Sequence, residues 1–395
     1  MKVTVIGDIM CEPPILKAAE KPDGTYNFDA IFSKVSPMFQ QSDYVIGNME
    51  FPLAGVDAEY TDSFFVFNAP DTYATAIKNA GIDLVSTVNN HTLDRGADGM
   101  VRTMRVLDEI DLSYVGTTLP EKEREGAYHF EVDGTKFAVV AYTYNLNNKL
   151  PEDDICAQRI NRFAVFGDRR CGIQIYPKNW VDYLLWFLPL EKRKNIKKRL
   201  GLPYLNVQVD SLINHENVDE YIARFSNDVK KAKKTADFVI CYLHTGGQFN
   251  EEIGDFSKYV FEKALEAGAD AVLACHSHTV QKAMMKNGIV RAYSLGNFSM
   301  VPDSPVTVGK QLPEFCLAMH LYITDKQTEK VTFSILRAVQ KPGEQLIAWP
   351  VDELYQTLTN SADKKKLEDE VRHVYQIVTG KTLESNIFQR EYDLV

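Results

Sequence analysis

The sequence is short of paired cysteines, of long apolar runs and of positive charge, and each shortage excludes a class of protein. Six cysteines (Cys11, Cys156, Cys171, Cys241, Cys275, Cys316) are scattered without paired spacing, several inside apolar runs where a free thiol behaves as a small hydrophobe. That pattern speaks against a disulfide scaffold and for a reducing compartment. No stretch approaches the roughly 18 consecutive apolar residues that span a bilayer, so no transmembrane segment is expected. The opening Met1-Lys-Val-Thr-Val-Ile-Gly7 has the pattern of a strand and lacks the apolar core and cleavage site of a signal peptide, so a cytoplasmic protein is expected. A formal charge of −10 argues against nucleic acid or an anionic membrane as partner, because both are met by basic fields.

What remains is ordinary globular material. At 395 residues, 45% hydrophobic and 25% charged, the chain can fill one large domain with insertions or two smaller ones. Short segments rich in Val and Ile at 3–7, 44–48, 84–88, 137–142, 238–243 and 271–275 predict strands covered on both faces. Helical spacing predicts helices over 71–80, 99–110 and 259–267, two of them stopped by Gly81 and Gly268 just before a strand. This βα alternation predicts an α/β sheet with its functional residues at the carboxyl ends of the strands.

Polar residues gather at those ends. Gly7-Asp8, Asn48-Met-Glu50, Asn89-Asn90-His91, His244, and His276-Ser-His278 follow five of the six predicted strands. Each has a plain explanation taken alone: Asp and Asn cap helices and form turns, and His276 with His278, emerging on one side of an extended chain, could be a hydrogen-bonded structural pair. Together they are carboxylates, an amide oxygen and neutral imidazoles. That mixed oxygen and nitrogen set binds divalent transition metals, with donors enough for two ions.

The series Gly7-Asp8, Asn48-Met-Glu50-Phe-Pro-Leu53, Asn89-Asn-His-Thr-Leu-Asp-Arg-Gly96, His244-Thr-Gly-Gly247, Gly268-Ala-Asp270, His276-Ser-His278 and Tyr293-Ser-Leu-Gly-Asn-Phe298 resembles the CapA family of capsule (poly-γ-glutamate) biosynthesis proteins, a branch of the calcineurin-like metallophosphoesterases. The resemblance runs from Val3 to Ser299 in family order. It implies a four-layer αββα sandwich and one or two divalent ions (Mn, Fe or Zn). Asp8 and His278 would hold one ion, Asn90, His244 and His276 the other, and Glu50 would stand at the bridging position. His91 would act as general acid, with Asp94 orienting its ring or merely capping a helix. The implied activity is hydrolysis of a phosphate ester or related bond. The alternative is an accessory protein of capsule or polyglutamate synthesis that binds an acidic polymer or its phosphorylated intermediate.

The sequence also departs from the family pattern. Met10 stands where the wider superfamily has a His, which leaves the first ion short of a ligand; Gln248 stands where the family usually has Glu, and Cys275 opens the run that is usually His-His-Pro-His. The metallophosphoesterase domain is expected over 1–340 with an insertion at about 146–217, followed by a helical extension over 341–395. Within the insertion, the aromatic stretch Trp180 to Pro189 and the basic run Glu191 to Arg199 suggest a helical hairpin packed on the body or on a second copy of the chain, or else a rim over the site. Alternation predicts paired strands at 317–323 and 331–336, and helical spacing predicts helices at 352–358 and 364–378.

Overall fold

The structure, a computed structural model, describes residues 1–164, 173–175, 184–185, 187–188, 190–200, 208–211, 218–302, 304 and 311–394. In chain order its strands are β1 (Lys2–Ile9), β2 (Tyr44–Met49), β3 (Leu84–Ser86), β4 (Ser113–Val115), β5 (Tyr128–Val132), β6 (Thr135–Thr143), β7 (Ile173–Ile175) and β8 (Gln208–Asp210). They continue as β9 (Phe238–His244), β10 (Ala271–Cys275), β11 (Ala283–Lys286), β12 (Ile289–Ala292), β13 (Phe315–Thr324), β14 (Gln327–Val339), β15 (Ile347–Pro350) and β16 (Tyr392–Asp393).

Two large sheets result. The first runs β15-β14-β13-β1-β2-β3-β4, with β16 paired to β14; the second runs β11-β12-β10-β9-β6-β5. Strands β1 to β4 are parallel, as are β6, β9, β10 and β12, while the added strands pair antiparallel. Alternate residues explain the layering. Val3 and Val5 of β1, Leu317 and Met319 of β13, Val139 and Ala141 of β6 and Ile240 and Tyr242 of β9 share one core between the sheets. The opposite face of the first sheet, including Val45 and Val85, packs on the helix Asp71–Asn79 through Tyr73 and Ile77. The outer face of the second, including Val140, Val239 and Val272, packs on the helices Asp219–Thr235 and Asp255–Ala267. The fold is therefore a four-layer αββα sandwich.

The predicted elements are present with shifted ends. The helices run Asp71–Asn79, Gly96–Glu109 and Asp255–Ala267, and Gly268 closes the last at φ 106°, a conformation open to glycine. Strand β3 stops at Ser86, short of the predicted end, because the backbone at Asn89 is drawn into a turn by the Thr92 hydroxyl, which accepts from Asn89 N at 2.9 Å. In the carboxyl-terminal part, β15 joins the first sheet and the helix Ser361–Thr379 packs Leu367, Val371, Val374 and Val378 into the core between the sheets. Of the 180–199 region, the helix Leu190–Arg199 is described, whereas Trp180, like Cys171, lies outside the described residues. Among the described residues no helix is long and apolar enough to cross a membrane.

A candidate dinuclear metal centre

Asp8 owes its position to a bulge. Between Val5 and Asp8 the register of β1 against β2 gains one residue, which turns the Asp8 side chain out of the strand's regular alternation. The Tyr242 hydroxyl of the facing sheet donates to Ile6 O at 2.5 Å beside the disturbed ladder. Gly7 is required there for closeness: a Cβ would lie 2.0 Å from Gly296 O, and Asp8 N donates to that same carbonyl at 3.0 Å. The segment carrying Gly296 is thus fastened to β1, and Leu295 N donates to Ala274 O of β10 at 2.9 Å, so it ties the two sheets together at the site. The Asp8 carboxylate accepts from Asn48 Nδ2 at 2.7 Å and from His276 N at 3.0 Å.

Glu50, immediately after β2, is fully buried, and neither of its carboxylate oxygens has a hydrogen-bond partner. An unsatisfied buried carboxylate costs several kcal/mol, so its presence calls for a cation. It is shared between two groups of converging donors, Asp8–Glu50–His278 and Glu50–His244–His276. Around His244 Nε2 stand Asn90 Oδ1 at 2.8 Å, His276 Nδ1 at 3.0 Å and Glu50 Oε1 at 3.5 Å. One proton on that nitrogen can satisfy only one of the three, whereas a cation meets all four atoms. The donor set therefore fits two divalent ions with Glu50 between them.

His276 and His278 reach the centre by an unexpected route. Both follow β10 with positive φ, 103° and 55°, rather than as an extended strand end, a strained conformation that non-glycine residues adopt where the surroundings hold them. Their rings still meet, 5.7 Å apart. His276 Nε2 is engaged by the Tyr144 hydroxyl at 3.1 Å, which leaves Nδ1 facing the centre. For His278 the amide of Asn297 decides the tautomer. Asn297 Nδ2 donates to His278 O and Pro313 O at 2.9 and 2.8 Å, so Oδ1 is left to accept the Nδ1 proton of His278 at 2.8 Å, and Nε2 keeps the free lone pair. Replacing Asn297 with Leu should weaken the ion at the Asp8–His278 position by about 10–100-fold. Metal titration should show it as loss of one of two ions; equal weakening of both would refute the assignment.

The electrostatics suit cations as well. Burial and the neighbouring Glu50 push the Asp8 carboxyl up to about 6, while burial would raise Glu50 too but the His244, His278 and His91 imidazoles bring it down to about 2. Two like charges in one buried site cannot both ionise freely, so the pair favours a single proton until a positive charge arrives. Burial and the surrounding imidazoles hold His276 well below its usual value, neutral and able to ligate. Cys275, grouped with Asp8 and His244, is pushed well above the usual thiol range by burial and by Asp8, so it sits behind the His244 ring as a neutral thiol, with Sγ 3.3 Å from Nδ1.

His91 lies beside the centre, its Nε2 3.9 Å from Glu50 Oε1 and its Nδ1 2.6 Å from Asp94 Oδ2. The same Asp94 oxygen accepts from Phe67 N at 2.7 Å, and the Phe67 ring stacks on the imidazole at 4.3 Å. Burial alone would lower the His91 pKa; Asp94, with help from Glu50 and Asp8, raises it instead. His91, His278 and Asn90 open on a cavity of about 370 Å³. All eight residues singled out in the sequence thus stand in one neighbourhood. Sequence reading did not identify the braces: Asn48 and Asn89 linked behind Asp8, Tyr144 on His276, Asn297 on His278, and Asn147, whose Oδ1 accepts from Asn90 Nδ2 at 3.3 Å. Only Asn48, Asn89 and Asn297 carried a signal, as polar residues inside the quoted motifs.

The family described as "Bacterial capsule synthesis protein PGA_cap" matches residues 2–301. The capsule biosynthesis protein CapA of Bacillus anthracis is 26% identical over 302 residues, 75% of this chain and 59% of that protein. The PGA biosynthesis protein CapA of Bacillus subtilis is 23% identical over 301 residues, 75% of this chain and 63% of that protein. The chain thus spans about three fifths of the length of these curated relatives. A crystal structure of a 5'-nucleotidase from Candida albicans aligns over 95% of this chain and 57% of its own at 12% identity, with a TM-score of 0.41. The family match runs from β1 through Asn297 and takes in every residue of the centre, and the chain belongs to the bacterial capsule synthesis protein family PGA_cap.

Proposed function

We propose that the centre binds two divalent ions and hydrolyses a phosphate ester. The observation that carries this reading is Glu50, a fully buried carboxylate with both oxygens unpaired, shared between two groups of donors. Asp8 and His278 would complete one position and Asn90, His244 and His276 the other. Ions such as Mn, Fe or Zn supply Lewis acidity toward the ester oxygens and a water acidic enough to attack phosphorus near neutral pH.

The chain's own residues do the rest. His91, kept protonated by Asp94, delivers its proton to the oxygen that leaves as its bond to phosphorus breaks and a water oxygen takes its place. Phe67 on His91 and Phe249, 5.3 Å from the His278 ring, keep bulk water from those imidazoles. The test is metal analysis of protein purified without chelator, followed by assay of phosphomonoesters and phosphodiesters with Mn. Two equivalents of ion and metal-dependent turnover are expected, and His276→Ala should lose the turnover together with the ion at the Asn90–His244 position. Protein that binds no Mn, Fe or Zn would remove the whole assignment. Bound ions with no ester cleaved would favour the binding role toward an acidic polymer or its phosphorylated intermediate.

A further inference from the structure

The cavity over the centre has walls that hydrolysis does not explain. Beyond His91 and His278 it is faced by Phe65, Phe249, Asn148 and Gln248. The loop holding Phe65 leaves that ring 45% exposed, an apolar face presented to whatever enters. Gln248 makes no side-chain hydrogen bond with any described residue, and Asn148 spends its Nδ2 on Leu93 O at 2.8 Å while Oδ1 stays unused among the described residues. Free amides next to an open aromatic face suit a ring: the face stacks, and the amides donate and accept at its edge.

Charge narrows the class further. The described residues lining the cavity include two carboxylates, Glu12 and Asp94, and neither lysine nor arginine. The Glu12 carboxyl is tied down by Val301 N and the Ser304 hydroxyl, both at 2.6 Å, and forms no salt bridge with a lysine or arginine among the described residues. A charge on the organic group, away from the phosphate, would find no lysine or arginine among the described lining residues to pair with. The volume, about 370 Å³, lies at the small-ligand end of the binding-pocket range.

Resting on the hydrolase reading of the centre, we infer that the phosphate's organic group is an uncharged ring bearing hydroxyl or amide groups, read at its edge by Gln248 and Asn148 and stacked on Phe65. A sugar ring and a nucleobase share this chemistry, and the assay separates them. With the Mn-loaded full chain, kcat/KM is measured for a hexose phosphate and a nucleoside 5'-monophosphate, each against two acyclic esters, glycerol phosphate and 3-phosphoglycerate. One ring ester should exceed both acyclic ones by at least about tenfold, and the ring that wins names the source. Gln248→Ala and Phe65→Ala should each cut that ratio by about tenfold, mainly through KM. Gln248→Glu, which keeps the shape but removes the donor, should do the same. Turnover with a wild-type ratio near one, or a ratio that none of these variants moves, overturns the inference and leaves the hydrolase reading standing. If no ester is cleaved, the hydrolase reading falls, and calorimetric binding of the same ring esters decides the cavity. Binding about tenfold weaker to Gln248→Ala than to wild type supports it; equal binding overturns it.

Discussion

Glu50→Gln empties both ion positions and leaves the metal-free protein folded. Glu50 is shared between the two groups of converging donors, so its loss reaches both. The amide keeps the volume, carries no charge and brings a donor to a site rich in acceptors, among them Asn90 Oδ1 and the imidazole nitrogens. Ion affinity should fall at both positions by more than the roughly 10–100-fold that loss of a supporting residue costs, because the shared ligand itself is gone. A structural residue would behave in the opposite way, losing stability without touching ion binding. Calorimetric titration with Mn and chemical denaturation of the chelator-treated proteins measure both. If the variant is less stable and still binds two ions, Glu50 is not the bridge.

The extent to which the sequence foretold this centre can be judged residue by residue. Asp8, Glu50, His244 and the His276–His278 pair were legible because each follows an apolar run whose β-branched content marks a buried parallel strand, and parallel strands deliver their ends to one edge. The helix Asp219–Thr235 was passed over: its lysines and acids hid a buried stripe of Ile222, Phe225, Val229 and Ala232 at helical spacing. The division into two sheets was not legible, since Val139 and Val140 are both apolar and nothing local says which faces the partner sheet and which the helices. The bulge that aims Asp8 depends on register between β1 and β2, a long-range property. The positive φ of His276 and His278 arises from backbone bonds to Asp8 and Asn297, distant in sequence, so the extended-strand argument reached the right neighbours by the wrong geometry.

His91→Ala keeps both ions and loses the reaction. The imidazole is not among the converging donor groups, and its Nδ1 is committed to Asp94 at 2.6 Å, so removing it leaves the ion positions intact. Its Nε2 edge, open to the cavity, is what a leaving oxygen would meet. Loss of a positioned general acid typically costs about 10²–10⁴ in rate, and kcat should fall by that factor with little change in KM. Asp94→Asn gives the more specific reading. Asp94 offsets the burial that would otherwise lower the His91 pKa, so the imidazole stays protonated to higher pH than an unpaired buried ring would. A general acid must carry its proton, so activity is lost as pH rises through this pKa. Removing the Asp94 charge lowers that pKa and moves the alkaline limb of the pH–rate profile to lower pH, with less effect on the rate well below it. For an ester whose leaving group is already acidic, such as p-nitrophenyl phosphate, the proton matters less and His91→Ala should retain more of its rate. A variant that loses all esters equally, or loses metal with activity, would show that His91 holds the centre together and does not donate the proton.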